Sequence, residues 1–233
     1  MGVVINFVMR VPVKFSAIRA AKLSRVGNRA NGVTRRLKSS ANSIDSLVYS
    51  VGDEVLKRLP VRASTNSAKK HELSKSLSRK AADSFKGVEL SPLHCLERCN
   101  LALGLLRKLK VPAWLARQVY LDTSSYDFRL HDYVEFFSEG KVKTLVFGYS
   151  PEGRDYNHIF PFAANKIHPD GGIGSVVFRG VDGSQIAGVV DSKKLRIFLI
   201  NPINSKQATK DRKRIELMVK HGVIPKEALS QIK

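Results

Sequence analysis

The first clear pattern along the chain is an apolar stripe of helical period in residues 43–59. Apolar side chains recur there at three- and four-residue steps: Ile44, Leu47, Val48, Val51, Val55, Leu56 and Leu59. This spacing predicts an amphipathic helix, and Pro60 ends it because proline lacks the N–H that a helix interior needs. A second amphipathic helix is predicted over 69–85. Both apolar faces need a partner, so we expect the helical segment 43–90 to pack on the domain that follows.

The segment 91–203 has the pattern of an α+β domain. Ser91 and Pro92 suit the cap and the first position of a helix that runs to about Lys110. Residues 129–137 then alternate, with Leu130, Asp132, Val134 and Phe136 on one side and His131, Tyr133, Glu135 and Phe137 on the other. Further strands are predicted at 114–121, 141–147, 175–180, 185–190 and 194–200. We therefore expect a helix packed on an antiparallel sheet, followed by a helical tail over 204–233.

The charge of the chain is strongly positive and unevenly distributed. There are 40 Lys and Arg residues against 20 Asp and Glu, a formal net charge of +20, and residues 1–42 contain no acidic residue. We interpret 1–42 as a basic N-terminal arm, which favours RNA, DNA or a ribonucleoprotein as partner because binding a polyanion releases its counterions. The expected contacts are Arg19, Lys22, Arg25, Arg29, Arg35, Arg36 and Lys38. A solvated arm without a specific partner and an organellar transit peptide are the alternatives.

Composition excludes several classes of protein. No run of eighteen apolar residues occurs, so no membrane span is expected. Two cysteines cannot build a disulfide framework, which suits a reducing compartment. We expect a cytoplasmic protein, or an organellar one if the basic N-terminus is a transit peptide. No second Cys/His pair at ligand spacing is present, so neither a metal nor another cofactor is expected.

Cys95 is the candidate nucleophile. With Ser91 as cap it lies in the first turn of its helix, where free N–H groups and the helix dipole stabilise a thiolate. Cys99, one turn deeper, is expected to pack in the core. His131 lies on the alternating strand, and packing of the helix start against that strand would bring it to the thiol as a base. The alternative is a small buried cysteine and a core histidine without chemistry.

Two stretches together resemble the transglutaminase-like superfamily, which has a papain-like core. CLERCNLALGLLRKLKVP is similar to the family's nucleophile helix, and HDYVEFFSEGK is similar to its His-x-Trp-x-Glu strand and turn. The matched positions are Cys95, Arg107, Val111, Pro112, Ala113, His131, Tyr133 and Glu135, whereas Lys110 stands where the family has Gly. The resemblance covers about 91–148 and implies the fold: a nucleophile helix packed on an antiparallel sheet.

The resemblance also implies the chemistry, which is acyl transfer through a thioester on Cys95 with His131 taking and returning the proton. The substrate would be an amide or ester bond of a protein, peptide or small amide, and the acceptor either water or an amine. The family's third residue is an Asp on the next strand, and Thr144 to Gly148 contain no carboxylate. Asp155 and Asn157, in the predicted loop that follows, are candidate replacements, and Asp155 is named as the third member. A catalytically inactive module docked on nucleic acid by its arm is the alternative function.

Overall fold

The computed structural model describes residues 26–59, 95–122, 127–149, 155–161 and 173–181, and parts of the tail, namely 212–213, 216–220, 222–223 and 225–231. The predicted helix over 69–85, the predicted helix start at Ser91-Pro92 and the strands predicted within 185–200 lie outside these residues. So do Arg19, Lys22 and Arg25.

In the described part of the chain, three helices precede the sheet. A 3-10 turn at Asn28–Ala30 leads into α1 (Asn31–Ser40), which is followed by α2 (Ile44–Arg58) and later by α3 (Cys95–Lys108). Helix α2 is the helix predicted over 43–59. It begins with a reciprocal cap, in which the Ser46 N–H donates to Ser43 Oγ and the Ser43 N–H donates to Ser46 Oγ. A short helix, α4 (Lys226–Leu229), lies in the tail.

The sheet has five strands in the order β4-β3-β2-β1-β5, and every neighbouring pair is antiparallel. The strands are β1 (Ala113–Asp122), β2 (Asp127–Ser138), β3 (Lys141–Tyr149), β4 (Asp155–Pro161) and β5 (Ile173–Gly180). Consecutive hairpins join β1 to β4, and β5 returns beside β1. The chain is therefore α+β with an antiparallel sheet, as expected. The sequence predicted a loop around Asp155 and Asn157, and this prediction was wrong, because both residues lie in strand β4.

The helices cover one face of the sheet, and the main core lies between them. Helix α3 contributes Leu101, Leu103, Leu105 and Leu106, all fully buried, and the sheet contributes Ala113, Leu115, Val134, Phe136, Leu145 and Phe147. Each buried leucine of this kind contributes about 1.5–3 kcal/mol. The odd-numbered positions of β1 and the even-numbered positions of β2 therefore face α3. This assignment decides which side chains of β2 can meet Cys95.

Part of the segment interpreted as an arm is folded onto this core. Val26, Ala30 and Leu37 are buried in the same cluster as the leucines of α3. Lys108 Nζ donates to the carbonyl of Gly27 at 2.6 Å, which ties the end of α3 to the turn before α1. Helix α1 thus lies on the body of the protein with one side exposed.

The opposite face of the sheet is covered in part by the C-terminal tail. Trp114 and Val142 are buried together with Met218 and Ala228. Gln231 fastens the tail to the β2–β3 hairpin, because its Nε2 donates to Gly140 O at 2.8 Å and its Oε1 accepts from the Val142 N–H at 2.7 Å. Residues 212–213 and 216–220 are also helical.

Candidate active site

Cys95 lies at the first described position of α3, half-buried against the sheet. Its thiol donates to Oδ2 of Asp132 on β2, with 3.7 Å between sulfur and oxygen. The main-chain N–H groups of Asp132 and Leu96 lie close enough to the sulfur to lower the pKa of Cys95. The start of α3 thus holds the thiol between a carboxylate and two amide donors.

Asp132 is held in place by Arg117 on the neighbouring strand. The two residues face each other in the β1–β2 register, and both are buried. Arg117 Nε donates to Oδ1 at 2.6 Å and Nη2 donates to Oδ2 at 2.8 Å, so the pair is bidentate. A bidentate guanidinium–carboxylate pair fixes both the position and the plane of the carboxylate. Oδ2, which accepts from the thiol, is therefore a pre-oriented acceptor.

The thiol is protonated in this arrangement. Burial, and next the negative charge of Asp132, raise the pKa of Cys95 to about 12, while the amide donors and Arg117 lower it. Burial raises the pKa of Cys99 well above its ordinary value as well. Burial alone would lower the pKa of Arg117, but the hydrogen bonds and charge of Asp132 outweigh it, so the pKa is raised. The site at rest is a neutral thiol beside a charged pair.

His131 does not lie beside Cys95, which corrects the pairing expected from the sequence. Strand β2 alternates without a bulge against β1, and Asp132, Val134 and Phe136 face α3. His131 therefore leaves the strand on the other face, where its ring lies 6.5 Å from that of Tyr133, roughly parallel to it. The residue that meets the thiol is the immediate sequence neighbour of the predicted base.

The candidates for the third catalytic residue lie on β4, which is separated from β2 by β3. Asp155 pairs with Tyr149 at the start of the strand, and its side chain is outside the described residues. Asn157 is buried and donates through Nδ2 to Asp53 of α2 at 2.8 Å. Asn157 thus connects the sheet to α2 and is not part of the Cys95 site.

Two residues matched by the resemblance have structural contacts on the face opposite α3. Glu135 is fully buried and accepts from Arg179 Nε at 2.8 Å and Nη2 at 3.0 Å, and also from the indole N–H of Trp114. Tyr133 is buried beside it, and burial followed by the charge of Glu135 raises its pKa. Glu135 and Arg179 thus form a second buried charge pair, on the face of the sheet opposite Cys95.

The arginines of α3 stabilise the fold. Arg98 is buried and donates through Nε and Nη2 to the carbonyl of Leu59, at 2.9 and 2.8 Å, which satisfies the end of α2. Arg107 donates to the carbonyl of Val181 after β5. The arginine whose charge acts on the Cys95 thiol is Arg117 of β1.

The described basic residues of the arm lie on α1. Arg35 and Lys38 are exposed, and Arg36 Nη2 contacts Glu54 of α2 at 2.8 Å with its side chain 62% exposed. The side chain of Arg29 is outside the described residues. Within the part of the chain that the structure describes, no group of three His, Cys, Asp or Glu side chains is placed to ligate a metal ion. Among those same residues, no helix is long and apolar enough to span a membrane.

Sequence reasoning missed the role of Arg117 and Asp132, although a signal for them exists. Each is a charged residue that follows or precedes an apolar residue on the same face of its strand, Leu115 on β1 and Val134 on β2. They stand at mirrored positions about the β1–β2 connection, 123–126. Antiparallel strands that share a short loop pair such positions directly. A buried charge is rarely left without a partner, so the two residues predict each other.

The chain has a distant structural likeness to a known protein. A candidate cysteine protease from Cytophaga hutchinsonii is similar in structure, at 17% sequence identity and a TM-score of 0.42. The match covers 77% of this chain and 53% of that protein, so the chain spans about half its length. No protein-family model matches, and no curated protein matches in sequence. What stands is the architecture, an α+β chain with a five-stranded antiparallel sheet whose helix-covered face holds a thiol, a carboxylate and a guanidinium in contact.

Proposed function

We propose that this chain is a cysteine-dependent hydrolase or acyltransferase acting on amide or ester bonds, with Cys95 as its nucleophile. One observation carries the proposal: the Cys95 thiol donates to a carboxylate that a buried guanidinium holds in a fixed orientation. A thiol needs a proton acceptor in contact before it can attack a carbonyl, and Asp132 is the acceptor in contact.

In the proposed reaction, Asp132 accepts and returns every proton that is transferred. The Cys95 sulfur forms a bond to the carbonyl carbon while the thiol proton passes to Oδ2 of Asp132. The tetrahedral intermediate then breaks its C–N or C–O bond, and Asp132 returns the proton to the departing amine or alcohol. Water or an amine next attacks the thioester, gives its proton to Asp132, and the thiol is released with that proton. The amide donors near the sulfur are available to stabilise the oxyanion.

The base assigned by resemblance, His131, is a competing proposal for the same step. Its side chain lies on the other face of the sheet, so its participation requires a rearrangement of β2 or of α3. A second candidate function, a catalytically inactive binding module, is favoured by one observation: the Cys95 thiol lies against a carboxylate. Burial and the charge of that carboxylate raise the pKa of Cys95, so the resting thiol is a poor nucleophile.

Mass spectrometry after incubation with an activated ester separates these proposals. We expect an acyl adduct on Cys95 in the wild type and in Cys99→Ser, which retains the site, and no adduct in Cys95→Ala. With an unactivated ester or an amide, whose leaving group must receive a proton, Asp132→Asn is expected to form little adduct, and His131→Gln is expected to behave as wild type. If His131→Gln loses the adduct while Asp132→Asn keeps it, the base is His131. If wild type forms no adduct with esters, thioesters or activated amides, the enzyme proposal fails and the binding module remains.

A further inference from the structure

We propose that the exposed side of α1, together with the end of α2, is a docking surface for the phosphodiester backbone of a nucleic acid. We call it the α1–α2 surface and define it by Arg35, Arg36, Lys38, Lys57 and Arg58. The inference does not depend on the chemistry of Cys95, because the surface lies on other elements and needs no reaction.

The exposed residues of α1 include no carboxylate. They are Asn31, Gly32, Arg35, Arg36, Lys38, Ser39 and Ser40, and the whole helix from Asn31 to Ser40 lacks an acidic residue. Solvated helix faces usually carry charges of both signs, which pair along the helix. A face with cations and small polar residues has instead the composition of surfaces that contact phosphate groups.

Helix α2 adds to the same positive surface. Glu54 of α2 is the carboxylate that both helices share, and it is 6% exposed. It accepts from Arg36 Nη2 at 2.8 Å and from Arg58 Nε at 2.6 Å, so one anion holds two guanidinium groups. Together with Lys57 these residues line an open cleft of about 340 Å³. The five cations outnumber Glu54 and the exposed Asp53 of α2, which leaves a net positive charge. Glu54 already holds the guanidinium groups of Arg36 and Arg58 in place.

The helix dipole explains only part of this pattern. Lys38, Lys57 and Arg58 lie in the last turns of their helices, where cations stabilise the helix itself. Arg35 and Arg36 lie in the middle of α1, where that effect has faded. A lipid surface fits less well, because a membrane-bound basic helix needs exposed apolar side chains, and Leu37 of α1 is buried in the core.

Salt-dependent binding of the full chain to nucleic acid tests the proposal. The probes are a fluorescent mixed-sequence DNA duplex and a single-stranded RNA of equal length, which together separate DNA from RNA as the source of the phosphates. The variant Arg35→Gln/Lys38→Gln/Lys57→Gln removes three charges from the α1–α2 surface. The matched control Lys213→Gln/Lys220→Gln/Lys226→Gln removes three charges from exposed residues of the tail.

We expect the surface variant to weaken binding about tenfold or more and to reduce the slope of log K against log salt by roughly 2–3 units, at about 0.9 unit per duplex phosphate contact. The control variant should change the slope by less than about one unit. Equal losses in both variants would mean that only the net charge matters, and the proposal would be refuted. The proposal would also be refuted if the wild type bound neither probe. It would be refuted as well if the wild type bound anionic vesicles more tightly than both nucleic acids. Equal melting temperatures of the two variants would confirm that folding is not the cause.

Discussion

Replacing Asp132 by Asn should make Cys95 more reactive toward alkylation while abolishing acyl transfer from amides and unactivated esters, whose leaving groups need a proton. The negative charge of Asp132 lies 3.7 Å from the sulfur and, after burial, is the largest contribution to the raised pKa of Cys95. Asparagine has nearly the same shape and keeps a carbonyl that Arg117 can contact. The substitution therefore removes a charge with little change in packing, and the freed positive charge of Arg117 favours the thiolate further.

The size of the effect follows from the distance between the charges. Two unit charges 3.7 Å apart interact by about 4 kcal/mol at an effective dielectric constant of ~20, which is about three pKa units and an upper bound for a half-buried thiol. We expect the pKa of Cys95 to fall by about one to two units. Each unit raises the thiolate fraction about tenfold and lowers its intrinsic nucleophilicity about threefold, so the rate with iodoacetamide at pH 8 should rise roughly 3- to 12-fold.

The assay is alkylation against pH with each cysteine read separately by mass spectrometry. Cys99 is the internal control, because it is fully buried one turn deeper and should stay slow. Removing Asp132 leaves the cation of Arg117 buried, at a cost of about 3–5 kcal/mol, so the fold must be checked by circular dichroism. The double variant Asp132→Asn/Arg117→Gln avoids that cost by removing both charges.

The four proteins should rank in a fixed order. The pKa of Cys95 should be lowest in Asp132→Asn, then rise through the double variant and the wild type to Arg117→Gln, since Asp132 raises the pKa more than Arg117 lowers it. An alkylation rate in folded Asp132→Asn that is equal to or below that of the wild type would refute the reasoning. So would an Arg117→Gln variant that is more reactive than the wild type.

Three further predictions concern stability. Because the pKa of Cys95 is raised on folding, the contribution of its neutral thiol to stability is complete below about pH 9 and is lost toward pH 12. The free energy of unfolding in urea should therefore fall with pH by up to about 4 kcal/mol, and by less in Cys95→Ala. Gly52→Ala places a Cβ 2.7 Å from Asn157 Cγ and should destabilise by about 1–3 kcal/mol, with Asn157→Ala in the same chain restoring most of the loss; additive losses would count against this contact. Glu135→Gln leaves Arg179 buried without its counter-ion and should cost about 3–5 kcal/mol in thermal unfolding, whereas Glu135→Leu/Arg179→Met should cost much less.

Much of the fold follows from local patterns. The α2 stripe, its end at Pro60 and the alternation of β2 each depend on residues within one element, so their period is visible in the sequence. Strand β4 was missed because Asp155, Asn157 and His158 are polar, and Asn157 is buried only through its contact with α2. A buried polar residue that depends on a distant helix leaves no periodic signal in its own strand.

The pairing at the site was missed for a different reason. Alternation places His131 and Asp132 on opposite faces of β2, but it does not say which face α3 covers. Apolar side chains occur on both sides, with Val134 and Phe136 on one and Tyr133 and Phe137 on the other, so hydrophobicity does not choose. The mirrored positions of Arg117 and Asp132 indicate that the two residues pair, but not that α3 covers their face of the sheet, because that contact is made between distant elements.

The difference between a histidine and a carboxylate at the thiol has a kinetic consequence. A thiolate–imidazolium pair has already transferred its proton before the substrate arrives, so attack involves no proton in flight. At a pKa of about 12 the Cys95 thiol still holds its proton at neutral pH. In the proposed mechanism this proton passes to Asp132 as the sulfur attacks. Acylation by an activated ester should therefore be slower in D2O than in H2O for the wild type, and this isotope effect should be smaller for Asp132→Asn at high pH, where the thiolate is the reacting species. Acylation without an isotope effect in the wild type, together with fast alkylation at neutral pH, would mean that the thiolate is preformed and that Asp132 is not the base.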